Sequence, residues 1–302
     1  MTAHARWAGG EIKRSEKNML ERLLEEGRPL VAAHRGKSGA AIAENTVRAA
    51  LHAFKEGADI VEFDALRTLD NKIAVFHEDM DFRLLFPAIP VRFSLMAELK
   101  KRKLRSAYGY LLNYGINDLE EYLAALKGKG LLNFDRIWFA DARKCLEIVK
   151  RLDMFDQILF KGYVRERGNR LLDLFAAYPQ AWFMPICKTS ASYPIAVAGC
   201  EKHGVKMRGV EVLFRSEDDL FAQPEFVEKE RKEGRFVWVN SIHLDGRPDM
   251  CAEHGDNYAI FDDPDKHWGF LLDRGYRVIQ TDWPVELSRW LDTRFPNPHG
   301  AR

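Results

Sequence analysis

Glu62 and Asp64 stand two residues apart in Ile60-Val61-Glu62-Phe63-Asp64, a run whose other members are apolar. Alternation along a strand turns both carboxylates to the same side. Two carboxylates that point together repel unless a cation or a shared proton lies between them. A divalent ion satisfies both, and an oxygen-only ligand set selects Mg²⁺ or Ca²⁺ over zinc. The competing reading leaves one of them solvated and paired with Arg or Lys. Upstream, His34-Arg35-Gly36 follows the apolar run 30–33. Arg35 can offer a planar fork to a phosphate, and Gly36 lets the backbone turn sharply close to a ligand. A second histidine, His77, ends the run 73–77. Two imidazoles beside a cation and a phosphate-binding arginine make an acid–base pair for phosphoryl transfer.

Such a set works only if distant stretches of chain bring it together. Strand-like runs occur at 30–33, 60–64, 73–77, 131–135, 157–161, 182–187, 209–214, 236–240 and 277–282. Helical patterns occupy 11–26, 44–56, 119–126, 142–152, 165–178 and 224–233. Alternation of this kind predicts a parallel α/β sheet covered on both faces. Asp70-Asn71 leaves too little chain for a parallel crossover into 73–77, so that run is the return arm of a hairpin. The other eight runs close a (β/α)8 TIM barrel, with residues 1–302 as one domain and an insertion at about 79–117. The insertion, apolar and interrupted by prolines, is either a cap beside the site or a packing excursion.

In such barrels active residues sit at the C-terminal ends of the strands. Here those ends carry His34, Glu62 with Asp64, Asp135, Lys161, Glu211, Asn240 and Asp282, and the hairpin arm adds His77. Glu211 is a reserve ligand, a contact to a substrate hydroxyl or half of a buried ion pair. Arg35 and Lys161 are expected to hold phosphoryl oxygens, and Trp238 and Trp283 to touch substrate. Glu44 and Asn45 read as a helix cap or as partners of catalytic groups.

Composition narrows the rest. Lys plus Arg is 46 against 45 Asp plus Glu, a net charge of +1, which gives no reason to expect a nucleic-acid partner. No apolar run has the length of a secretory signal or a membrane span, so a cytoplasmic protein is expected. Cys145, Cys187, Cys200 and Cys251 are scattered and read as reduced thiols. Nothing in the sequence sets the oligomeric state.

The motifs together resemble the glycerophosphodiester phosphodiesterase family. His34-Arg35-Gly36, Glu44-Asn45-Thr46, the run Gly57 to Asp64, Thr68, Asp70, Val75-Phe76-His77 and Arg83 follow its order and spacing. Trp238-Val239-Asn240 and Thr281-Asp282-Trp283-Pro284 look like its closing motifs. The resemblance implies metal-dependent hydrolysis of a small glycerophosphodiester to sn-glycerol 3-phosphate and an alcohol. It implies one divalent cation, a cyclic phosphate intermediate, and His34 and His77 exchanging acid and base roles. The chain departs from the pattern in places. His77-Glu78 replaces His-Asp, Ile137 stands where a lysine is expected, and the shorter Asp135 stands where a glutamate ligand is usual, so the resemblance makes it the expected third metal ligand beside Glu62 and Asp64. Arg136 faces away from the site if the strand continues, and Lys161 is the candidate to restore the charge. A sugar phosphodiester of the agrocinopine type is the alternative substrate. A lyase that stops at the cyclic phosphate, resembling the sphingomyelinase D enzymes, and a binding protein with a decayed site complete the options.

Overall fold

The computed structural model describes residues 19–295 apart from 26, 79, 245, 246 and 248. Its centre is a closed parallel barrel of β1 (Leu30–Ala33), β2 (Ile60–Phe63), β3 (Leu131–Phe134), β4 (Ile158–Gly162), β5 (Trp182–Cys187), β6 (Gly209–Val212), β7 (Phe236–Asn240) and β8 (Val278–Thr281). Each strand pairs with its sequence neighbour, and β1 closes on β8 with Leu30 opposite Val278. Every residue of these strands is buried, as parallel strands lying between a helical ring and a filled interior must be.

Alternation sorts the strand residues into two cores. Val31, Val61, Phe63, Leu132 and Phe160 face outward among the helices. Leu30, Ile60, Leu131, Trp182, Phe236 and Val278 face inward, and the helix Met19–Glu25 plugs the bottom of the barrel with Leu20 and Leu24. Arg277 ties that helix down by donating to the Leu24 and Gly27 carbonyls at 2.8 and 2.7 Å, satisfying orphan acceptors at its C-terminus. The earlier part of the expected helix 11–26 lies outside the described residues.

The run 73–77 does return in a hairpin. Ala65–Arg67 pairs antiparallel with Ile73–Val75, and Asn71 takes the positive φ of 58° that the turn needs. Phe76 N–H donates to the Asp64 carbonyl at 3.0 Å, which sets the next residue, His77, beside the end of β2. The insertion packs over this hairpin with a core of its own, in which Leu84, Leu85, Val91, Leu99 and Leu104 meet Leu66, Ala74 and Phe76.

Several boundaries differ from the sequence reading. The helix expected over 165–178 is Arg170–Ala176, because Asn169 bonds both the N–H and the carbonyl of Arg165 and holds 165–169 as a loop. Helices Ser192–Lys202, Asp256–Phe261, Pro264–Asp273 and Pro284–Arg294 were not anticipated individually. No helix among the described residues is long and apolar enough to cross a membrane, and all four cysteines are buried free thiols.

Gly36 fixes the first barrel turn. It has φ +78°, and a Cβ there would lie 2.7 Å from the Ala49 carbonyl carbon, inside the helix Val47–Lys55. Because backbone, not a flexible side chain, blocks that space, Gly36→Ala is expected to cost about 2–4 kcal/mol in urea unfolding. Gly27→Ala, at φ +81° but in open space, should cost only about 1 kcal/mol.

Candidate active site

The acidic groups converge just beyond the ends of β2 and β3. One carboxylate oxygen each from Glu62, Asp64 and Asp135 lies within 4.8 Å of the others. Glu62 is the last inward residue of β2, while Asp64 and Asp135 sit one residue past their strands, on the loops. Burial, then the charges of Asp64 and Asp135, push Glu62 up to about 8 against the pull of His34 and Lys161. An all-oxygen set this compact and this acidic fits a hard divalent cation.

Two left-handed residues build one wall. Arg35, at φ 56°, turns its backbone N–H onto Glu62 Oε2 at 2.8 Å. Its guanidinium reaches Glu44 Oε1 at 2.8 Å and Asp64 Oδ2 at 3.2 Å. Asn45, at φ 54°, brackets Asp64 twice. Its Nδ2 donates to Asp64 Oδ2 at 3.0 Å, and its Oδ1 accepts from Asp64 N–H at 2.9 Å. Glu44 in turn accepts from Arg83 of the insertion at 2.6 Å. Glu44 and Asn45 are therefore partners of the site, and the cap of the following helix is Thr46, which accepts from Ala49 N–H at 3.2 Å. Burial alone would raise Asp64, but Arg35, His77, the Asn45 amide and Arg136 outweigh it and hold the carboxyl low.

The two histidines flank the acids in unlike surroundings. His34 Nδ1 donates to Asp282 Oδ1 at 2.8 Å. Burial disfavours its charge, but the bond and charge of Asp282, with Glu62 behind, prevail and raise the imidazole. His77 Nε2 lies 4.0 Å from Asp64 Oδ1, and its Nδ1 contacts the Glu78 carbonyl. That contact leaves Nε2 as the acceptor. Burial, aided by Arg35 and Arg136, outweighs Asp64 and lowers His77.

Arg136 corrects the sequence reading. The strand does not continue: β3 ends at Phe134, and Arg136 adopts φ 40°. Its side chain swings into the cleft, where Nε donates to Asp135 Oδ2 at 2.5 Å and Nη2 to His77 Nε2 at 2.9 Å. Nη2 is also 3.5 Å from Asp64 Oδ1. The side chain is 34% exposed and, with His77, Trp138, Arg92 and Arg247, lines the cleft over the acids.

Lys161, Glu211 and Trp238 lie deeper than expected. Lys161 is 1% exposed and pairs with Glu211 Oε2 at 2.7 Å, donates to Gln280 Oε1 at 3.0 Å, and rests 4.0 Å from the centroid of the fully buried Trp238. Asn240 Nδ2 satisfies the other Glu211 oxygen at 2.8 Å. These residues point into the barrel and form a polar floor beneath the acids. Lys161 remains 3.9 Å below Asp135. Trp283 is half-buried at the rim, with Lys37 over its ring at 5.6 Å.

Asp256 supports His34 from behind. Buried at the first position of the helix Asp256–Phe261, it accepts from Ser241 Oγ, from Thr281 Oγ1 at 2.9 Å, from Trp268 Nε1 at 3.2 Å and from Asp282 N–H at 2.8 Å. Burial drives it up to about 7, against the hydrogen bonds it accepts. A carboxyl raised above its unfolded value gives stability that is complete below about pH 4 and lost as pH climbs through about 7. Urea midpoints should therefore fall between about pH 5 and about pH 8, and Asp256→Asn should flatten that slope.

A model described as a domain of unknown function, DUF4996, matches residues 183–291. No curated protein matches the chain in sequence. A glycerophosphoryl diester phosphodiesterase from Parabacteroides distasonis superposes with a TM-score of 0.72 at 18% identity, over 93% of each chain. A phosphodiesterase from Oleispira antarctica, solved with the product sn-glycerol-3-phosphate, gives 0.63 at 18% identity, over 89% of this chain and 99% of that one. The glycerophosphodiester phosphodiesterase of Thermotoga maritima gives 0.61 at 21% identity, over 87% and 98%. The fold of this chain is the (β/α)8 barrel of the glycerophosphodiester phosphodiesterases.

Proposed function

We propose that the chain hydrolyses glycerophosphodiesters to sn-glycerol 3-phosphate and an alcohol. The carrying observation is the meeting of three carboxylates within 4.8 Å, flanked by two histidines and two arginines at the C-terminal mouth of a barrel. Glu62, Asp64 and Asp135 would hold one Mg²⁺ or Ca²⁺, which when bound lowers the pKa of a substrate hydroxyl and offsets phosphoryl charge.

The protein groups divide the proton work. His77, kept neutral by burial and two arginines, is suited to take the proton of the attacking hydroxyl at Nε2. His34, whose proton affinity the bond to Asp282 raises, is suited to give one to the leaving oxygen. Opposite shifts on two nearby groups are the arrangement acid–base catalysis needs. Attack by the substrate's own hydroxyl would form a cyclic phosphate, which water opens with the roles reversed. Arg35, buried and tethered to Glu44 and Asp64, fixes the acids. Arg136, more exposed and lying across Asp64 and Asp135 from the cleft side, is placed to transfer to a phosphoryl oxygen. Four buried thiols suit a reducing compartment, the cytoplasm. Lipid-derived glycerophosphodiesters are the natural substrate class there.

Purified protein supplied with Mg²⁺ or Ca²⁺ should release glycerol 3-phosphate from glycerophosphocholine and lose that activity to a chelator. His34→Ala and His77→Ala should each lower kcat about 10²–10⁴-fold. Arg136→Gln should act mainly on KM, raising it roughly tenfold. Full activity in both histidine variants, or turnover of sugar phosphodiesters alone, would refute this assignment.

A further inference from the structure

The insertion presents a surface that the catalytic reading does not use. Residues 99–117 carry five Lys or Arg and no Asp or Glu, in a chain whose net charge is +1. Of the fourteen large hydrophobic side chains exposed among the described residues, seven (Phe82, Phe86, Phe93, Leu95, Tyr108, Tyr110 and Leu111) belong to this insertion. Soluble surfaces scatter such side chains, and a cluster of them marks an interaction site.

The backbone gathers part of this set on one face. Leu85–Phe86 pairs antiparallel with Lys103–Leu104, placing Phe86 opposite Lys103 and Leu85 opposite Leu104. Leu85 and Leu104 are buried in the core of the insertion, so alternation turns Phe86, Lys103 and Arg105 outward. Leu111 is bridged to Arg105, and the Arg105 guanidinium lies 4.4 Å from the Phe86 ring centroid. A closed turn extends the face. Ser106 N–H donates to the Tyr110 carbonyl and Gly109 N–H to the Ser106 carbonyl, both at 2.9 Å, and Tyr108 and Tyr110 are 73% and 72% exposed at its tip.

We propose that this ribbon and its tyrosine turn dock on the headgroup region of an anionic phospholipid membrane. Tyrosine, with an apolar ring and a polar tip, is enriched at that depth. Lys and Arg beside it are drawn by the negative surface potential of a cytoplasmic leaflet. Protein interfaces are by contrast depleted of lysine, whereas here Lys101 and Lys103 are exposed and Lys103 stands opposite Phe86 in the ribbon. The mode is peripheral, in keeping with the absence of a spanning helix among the described residues. Arg83 and Arg92 link the insertion to Glu44 and Glu78 at 2.6 and 3.1 Å, so docking would hold the catalytic cleft beside a lipid surface.

Co-sedimentation of the full chain with vesicles tests this. The protein should bind equimolar phosphatidylcholine–phosphatidylglycerol vesicles at low salt, release at high salt, and ignore pure phosphatidylcholine. Lys101→Glu with Lys103→Glu, and separately Tyr108→Ser with Tyr110→Ser, should each weaken binding at least about tenfold while melting like the parent. Three results would overturn the proposal: no vesicle binding by the parent, equal binding to uncharged vesicles, or undiminished binding by both double variants. Light scattering that shows a dimer dissolved by Tyr108→Ser with Tyr110→Ser, without vesicle binding, would assign the face to a second copy instead. The docking face does not rest on the catalytic reading. Vesicle binding without phosphodiesterase turnover would sink only the latter, and turnover without vesicle binding only the former.

Discussion

Three carboxylates pressed together at the mouth of a barrel set the terms for everything around them. Isolated buried negative charge is costly, and the surrounding residues meet that cost piecemeal. Arg35 and Asn45 take Asp64, the Arg35 amide takes Glu62, and Arg136 takes Asp135. Burial first, and then the charge of Asp64, raise the proton affinity of Glu62. A divalent ion held by the three carboxylates would offset their mutual repulsion. Asp282, with a smaller contribution from Glu62, raises His34, while burial, aided by Arg35 and Arg136, lowers His77.

The scaffold separates rigid support from adaptable contact. Below the acids, Lys161, Glu211, Asn240, Gln280 and Trp238 form a closed polar layer in which a lysine is balanced by a carboxylate and an indole face. Behind His34, Asp256 gathers four donors and fixes the end of β8. These groups hold geometry and lie away from the cleft. Arg136, Trp138, Arg92 and Arg247 line the open side, where a substrate's alcohol would be met, and three of the four are arginines.

Much of this was legible because alternation in a strand is a strict rule. Glu62 and Asp64 could be paired from their spacing, and the hairpin could be inferred because Asp70-Asn71 left no room for a crossover. What escaped lies where the rule stops. A continued strand would turn Arg136 away from the site, but the residue adopts a left-handed conformation that ends the strand before it. Glu44 and Asn45 could equally have been a helix cap, and only the fold shows that Thr46 takes that role and frees them for the site. Lys161 was placed at a strand end, but a sequence does not reveal that its Nζ packs on Trp238 and pairs with Glu211. Asp256 carried no signal at all, since its importance comes from meeting Ser241, Trp268 and Thr281 across long separations.

Glu62, Asp64 and Asp135 would together hold one divalent cation. Isothermal titration of the metal-free protein with Mg²⁺ and Ca²⁺ measures this. One ion should bind per chain, and Asp64→Asn should abolish binding while the fold, judged by circular dichroism, is retained. No measurable binding, or binding that Asp64→Asn leaves intact, would contradict it.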